Sequence, residues 1–209
     1  MSITMGLIKK RSLEIMLERL KDYENPRPEF EQYSLTASDA AKILWMSLDD
    51  ISGRIILDPG CGPGRLLIGA ALLGAHYAIG IDIDQNVLRI TKYNIKMFNL
   101  GAIIDVIVCD YSYPCIRYAD TIIQNPPFGV QKRHMDRIFI KSSSKIANVI
   151  YSIHKASNSD FLLKFYEKNM CKVEKIFKSI ILLKMTMRHH KKRLYRVQVE
   201  IYKAVVQKK

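Results

Sequence analysis

Apolar positions along this chain recur with two periods, and the alternation between those periods lays out its architecture. Leu7–Tyr23 places Leu13, Met16, Leu17 and Leu20 three and four residues apart, the spacing of one helix face. Asn25-Pro26-Arg27-Pro28 breaks that pattern, Glu31–Thr36 reads as a loop, and Ala37–Leu48 reads as a second helix. From Arg54 onward, short apolar runs alternate with helical stretches. Strands are predicted at Arg54–Leu57, Tyr77–Ile81, Ile103–Cys109, Ala119–Gln124 and Ala147–Ile153, and helices at Leu66–Leu73, Gln85–Phe98, Asp136–Ser144 and Ser157–Asn169. Val173–Met187 and Leu194–Val206 read as two long strands with no helix between them; in the second, Val197, Val199 and Ile201 alternate with Gln198, Glu200 and Tyr202. Strand–helix alternation predicts an α/β fold around a mostly parallel sheet, and two strands joined without a helix predict an antiparallel closing pair.

The 209 residues, 48% of them apolar, suffice for one good core, so residues 1–209 are expected to form a single domain. The longest apolar stretch, Leu66–Ile81, is interrupted by Gly69, Gly74, His76 and Gly80, which argues against a membrane span. Charges at Lys9, Lys10, Arg11 and Glu14 argue against an N-terminal signal. Cys61, Cys109, Cys115 and Cys171 show no metal-ligand spacing, and four free thiols suggest a reducing, cytoplasmic setting.

Charge is distributed unevenly. Residues 1–130 hold 13 Lys/Arg against 15 Asp/Glu, whereas residues 131–209 hold 20 against 5. The excess gathers at Lys132-Arg133 and at Lys191-Lys192-Arg193, the second cluster following His189-His190. One such cluster is ordinary solvated surface. Two in one half of a chain favour contact with a phosphate backbone, so both are taken as substrate-binding candidates for RNA.

The chemistry begins with Asn125-Pro126-Pro127-Phe128, placed directly after the apolar run Ala119–Gln124. By composition such a tetrapeptide arises by chance in about one chain in a thousand of this length, so it asks for a reason. Two prolines stop the strand and stiffen the backbone. The Asn125 side-chain carbonyl and the Pro126 backbone carbonyl are neutral acceptors suited to the two hydrogens of a planar –NH2 group. Phe128 offers a face on which a base can stack, and Pro127 is expected to touch the substrate. These residues suggest a site for an exocyclic amine, most simply that of a nucleobase.

A second motif lies upstream. Asp58 ends the first predicted strand of the alternating region, and Pro59-Gly60-Cys61-Gly62-Pro63-Gly64 leads into a helix. Glycines at 60, 62 and 64 let the backbone turn and approach a ligand at a helix N-terminus. No Gly-Lys-Ser/Thr follows, so it is not a P-loop, and the third glycine of the dinucleotide fingerprint is missing, which disfavours a dehydrogenase. The D-x-G-x-G-x-G pattern resembles that of S-adenosylmethionine-dependent methyltransferases. Asp82, ending the next strand, is placed to accept from ribose hydroxyls. Asp84 reads as a helix cap rather than half of a metal pair. Asp110, ending a third strand, falls near where an adenine ring would lie.

Glu31-Gln32-Tyr33, the DPGCGPG loop, Ile81-Asp82-Ile83-Asp84, NPPFG with its basic continuation, Tyr151-Ser152-Ile153-His154 and His190-Lys191-Lys192-Arg193 together resemble the methyltransferase-like protein 5 group. That resemblance covers almost the whole chain. It implies a seven-stranded Rossmann-like fold, S-adenosylmethionine beyond the strand ends, and methylation of an adenine N6 in small-subunit ribosomal RNA. It further implies that residues 1–50 form a helical segment covering the cofactor, with Gln32 and Thr36 closing over it. It also implies a small zinc-binding activator protein added to edge strand 103–108. The family usually shows QYxT, whereas Gln32-Tyr33-Ser34-Leu35-Thr36 is one residue longer. On site chemistry alone, guanine N2, DNA adenine, protein glutamine and a non-catalytic RNA-binding role stay open.

Overall fold

A computed structural model describes residues 8–113, 115–129, 134–184 and 194–207. Among them, seven strands form one sheet: β1 (Ile55–Pro59), β2 (Tyr77–Asp82), β3 (Ile104–Val108), β4 (Ala119–Gln124), β5 (Ala147–Lys155), β6 (Cys171–Lys184) and β7 (Leu194–Val206). Their order across the sheet is β3-β2-β1-β4-β5-β7-β6. The first five are parallel, because each crossover carries the chain back over a face of the sheet. Helices α3 (Arg65–Leu72), α4 (Gln85–Met97) and α5 (Met135–Ile146) make three of those returns, and α6 (Ser159–Lys168) leads from β5 to β6. β7 runs antiparallel to both β5 and β6. The seven-stranded, mostly parallel sheet with an antiparallel closing pair is thus the expected one.

Parallel strands covered on both faces must be apolar on both. Ile56 and Leu57 are adjacent in β1, wholly buried, and belong to different apolar clusters. Each such side chain contributes about 1.5–3 kcal/mol by leaving water. One cluster joins the sheet to α3 and to α1 (Lys10–Glu18) and α2 (Ala37–Met46), through Leu13, Leu17, Leu44 and Leu67. The other joins it to α5 and α6 through Phe139, Ile140, Leu162 and Tyr166.

Several element ends differ from expectation, each for a local reason. α1 stops at Glu18 rather than Tyr23, and Asn94 of α4 holds the continuing strand of chain by accepting from Lys21 N–H at 3.0 Å and donating to its carbonyl at 2.9 Å. α2 stops at Met46, where the Ser47 hydroxyl turns back onto the Ile43 and Leu44 carbonyls. β5 runs on to Lys155, so His154 is a strand residue and not part of a loop. No helix among the described residues is long and apolar enough to cross a membrane.

Strand order reverses direction between β1 and β4, which lie side by side although two strands separate them in sequence. At such a switch point the loops after the two strands diverge and leave a crevice beyond their carboxyl ends. The glycine loop follows β1 and Asn125 follows β4.

Candidate active site

The glycine loop is shaped by contacts from three sides. Its Gly60 and Cys61 amides both donate to the Ile81 carbonyl of β2, at 2.7 and 3.0 Å. Gly62 (φ +53°) faces the Tyr23 hydroxyl so closely that a Cβ would collide with it. Gly64 (φ +90°) is the N-cap of α3, and a Cβ there would lie 2.8 Å from the Thr91 methyl. From α4, Thr91 donates to the Gly62 carbonyl at 2.6 Å and Asn94 to the Pro63 carbonyl at 2.9 Å. Asp58 is buried, and its Oδ2 accepts from Leu67 N at 3.1 Å, tying β1 to the first turn of α3. Burial raises its pKa well above the ordinary carboxylate range.

Asp82 joins this loop to the next strand. Its Oδ2 accepts from Gly62 N and its Oδ1 from Asp84 N, both at 2.9 Å, while burial again raises its pKa. Asp84 caps α4 through Asn86 N at 3.0 Å. Its other oxygen accepts from Gln32 Nε2 at 2.9 Å, while Gln32 Oε1 accepts from Arg27 N at 2.7 Å. The Gln32 amide therefore pins the N-terminal segment to the turn after β2.

A cavity opens over these strand ends. Its wall includes Asp58, Gly60, Asp82, Asp110, Asn125 and Pro127, together with Gln32 and its neighbours from the N-terminal segment. Asp110 stands exposed at this wall and accepts from Ser112 N at 2.9 Å. Asn125 has its Oδ1 buried, with no hydrogen-bond partner among the described residues. The residue before it is held firmly: Gln124 donates to Ser152 and accepts from Ser143, both at 2.9 Å. Pro126 and Phe128, on either side of Pro127, are braced by Tyr33. The Tyr33 ring stacks on Phe128 with centroids 5.2 Å apart, and its hydroxyl lies 3.5 Å from the Pro126 carbonyl oxygen. Lys155 Nζ sits 5.4 Å from the Phe128 ring centre.

The structure thus brings Asn125, Pro127, Asp58, Gly60, Asp82, Asp110 and Gln32 to one cavity, with Gly62 and Gly64 shaping the loop behind the wall. Thr36 caps α2, accepting from Asp39 N at 3.1 Å and donating to Asp39 Oδ2 at 2.8 Å. Leu35, the residue before it, lines the cavity. Lys132, Arg133, Lys191, Lys192 and Arg193 lie outside the described residues. Tyr23, Tyr33 and Arg65 line the cavity without having been singled out. Only the adjacency of Arg65 to Gly64, and of Tyr33 to Gln32, offered a signal.

The model of the ribosomal protein L11 methyltransferase family matches residues 40–126. The rRNA N(6)-adenosine-methyltransferase METTL5 of Danio rerio is 34% identical, over 92% of this chain and 97% of its own. The chain belongs to the METTL5 methyltransferase family. An uncharacterized protein of Methanocaldococcus jannaschii is also 34% identical, over 94% of both chains. A solved structure, that of a candidate RNA methyltransferase from Pyrococcus horikoshii, superposes with a TM-score of 0.88 at 32% identity, covering 96% of this chain and 99% of its own. This protein is accordingly a methyltransferase, and its sheet is the Rossmann-like sheet of that class.

Proposed function

We propose that the protein methylates the exocyclic N6 of an adenine in small-subunit ribosomal RNA, using S-adenosylmethionine. The observation that carries this reading is the buried, unpartnered Asn125 Oδ1 in the cavity wall. A buried acceptor left unsatisfied costs about 1–3 kcal/mol, a cost relieved when a ligand N–H arrives. Asn is neutral and cannot ionise, so the ligand group it suits is a neutral –NH2.

The residues fit the cofactor on the opposite side of the cavity. The glycine loop leaves room beside Gly60, and the Asp82 carboxylate retains lone pairs for ribose hydroxyls after accepting two backbone amides. Asp110 stands where the adenine ring would lie, toward β3. Residues 1–50 act as the cover, with Gln32 as its latch to Asp84. Bound S-adenosylmethionine supplies an electrophilic methyl group. The chain's own part is to place the target nitrogen in line with it. Asn125 Oδ1 and the Pro126 carbonyl, an oxygen with a second lone pair besides the one facing Tyr33, take the two amine hydrogens. That arrangement favours a pyramidal nitrogen and stabilises the positive charge developing during attack, and the surplus proton leaves the nitrogen for water after the methyl is transferred. The target base stacks against the Tyr33–Phe128 pair, which requires a base outside a duplex.

Three features support RNA. β6 and β7 remain paired beyond the Lys155↔Val199 register at which β5 ends, as far as Lys184↔Leu194, so the hairpin extends past the strand ends on the side of Asn125. Arg196 is exposed on that extension. The basic excess of residues 131–209 lies in the same half of the chain. The L11 family match ends at Pro126, so it spans the glycine loop to the start of the amine-accepting tetrapeptide and leaves the basic half of the chain outside it.

The partner proposed is a small zinc-binding activator protein paired to β3, a strand at the sheet edge. The compartment proposed is the cytoplasm, in keeping with the free thiols of Cys61, Cys109, Cys115 and Cys171. The test is to incubate the chain with methyl-labelled cofactor and small-subunit ribosomal RNA, separately with DNA and ribosomal protein, and to identify the product by mass spectrometry. N6-methyladenosine in RNA is the expected product. Label on guanine N2, in DNA or on a glutamine would replace this reading with one of those.

A further inference from the structure

Arg65 is a guanidinium in an unusual place. It occupies the first position of α3, directly after Gly64, is 8% exposed, and contributes to the cavity wall. Its Nη1 donates to the Leu35 carbonyl and its Nη2 lies 4.0 Å from Asp22 Oδ2. Its Nε is buried and has no acceptor among the described residues. Guanidinium does not lose its proton in proteins, so a buried N–H of this kind keeps a charge-assisted donor waiting.

The sheet order says what would reach it. With a ribose on Asp82 of β2 and the adenine toward Asp110 beside β3, a bound cofactor runs across the sheet toward β1. Its amino-acid end then arrives at the start of α3, where Arg65 stands. Carboxylate is the group that a guanidinium edge matches best, and the positive end of the α3 dipole acts in the same sense. We propose that Arg65 binds the α-carboxylate of the cofactor through its Nε edge, and that by also holding Leu35 it couples the bound amino-acid moiety to closure of the N-terminal segment. This assignment rests on the cofactor reading above.

Calorimetry on the purified chain separates the possibilities. S-adenosylhomocysteine carries the carboxylate, whereas 5′-methylthioadenosine carries the same nucleoside without it. Arg65→Met should bind S-adenosylhomocysteine on the order of 10–100-fold more weakly than wild type, as for loss of one charge-assisted hydrogen bond, while its affinity for 5′-methylthioadenosine stays within about twofold. Should Arg65→Met not fold, Arg65→Lys carries the same comparison, since it keeps the charge but lacks the Nε edge. Equal weakening for both ligands, or none for either, would overturn the assignment alone. A wild-type chain that binds neither ligand would overturn the cofactor reading, and this assignment with it.

Discussion

The ring of Tyr33 stacks on that of Phe128 at 5.2 Å with 27° between the planes, joining the N-terminal segment to the loop that follows β4. The same hydroxyl sits 3.5 Å from the Pro126 carbonyl, and burial raises the Tyr33 pKa well above its ordinary value, so it stays a neutral donor. One side chain therefore braces the two residues on either side of Pro127. An aromatic pair contributes about 0.5–1.5 kcal/mol beyond its buried area. Tyr33→Ala is expected to lower kcat/KM by roughly 2–12-fold through a less ordered loop. Tyr33→Phe, which keeps the ring, should stay near wild type in steady-state assays.

Asn125→Ala should leave S-adenosylhomocysteine affinity intact and reduce turnover by about 10²–10³-fold, the effect of removing one transition-state acceptor. Because Asn125 Oδ1 has no partner among the described residues, its removal breaks no bond to that oxygen there, and the variant should melt within about 0.5 kcal/mol of wild type. Unchanged turnover would remove Asn125 from the reaction.

Asp82→Asn should do the reverse. The substitution keeps one acceptor for Gly62 N or Asp84 N but loses the charge and lone pairs facing the cavity. S-adenosylhomocysteine affinity should fall by about 10-fold or more, as for a hydrogen bond to a charged group. Equal calorimetric affinities for variant and wild type would take Asp82 out of the cofactor site.

His154 makes stability depend on pH. It is enclosed between Tyr166 and Tyr202, with Nε2 3.1 Å from the Tyr166 hydroxyl, and burial lowers its pKa to about 3. The unfolded chain, with its histidine near 6.5, binds the proton more readily between pH 6.5 and 3. Stability is therefore full above 6.5 and declines as pH falls through that window, by about 2 kcal/mol at pH 5. For a chain of this size that corresponds to about 4–8 °C in Tm. His154→Gln cannot titrate, so its Tm should fall less between pH 7 and pH 5 than that of wild type. Parallel declines would show that the acid sensitivity comes from elsewhere.

β3 presents one backbone edge unpaired among the described residues, with Asp105 and Val108 exposed. An edge of this kind, rich in β-branched residues and free of proline, accepts an added strand. On binding the proposed activator, the amides of Ile104–Val108 should become protected in hydrogen exchange, and solubility should improve on co-expression. Protection confined to residues 188–193 would rule out this geometry.

The strands and helices were legible in the sequence because each is a local consequence of apolar period and of Gly and Pro placement. The acidic residues ending β2 and the approach to Asn125 after β4 were legible for the same reason, since a strand that stops abruptly at a polar residue marks a sheet edge where ligands bind. The cap that Thr36 makes on α2 was not read from the sequence, because its spacing from Gln32 does not show which partner the hydroxyl takes. The strand expected over Ala147–Ile153 stopped short of His154 because a strand buried on both faces has no polar alternation to mark its end.

What the sequence determined by itself was therefore the order of elements, the glycine loop and the amine-accepting tetrapeptide, all carried by residues adjacent in the chain. Only the tertiary structure decided that Tyr33 would brace Phe128, that Gln32 would latch onto Asp84, and that Arg65 would keep a buried donor at the cavity. Those pairs are separated by tens of residues, and their meeting depends on how α1, α2 and the segment between them pack over the strand ends. Side-chain burial and the satisfaction of polar atoms are properties of that packing, and a linear pattern contains neither.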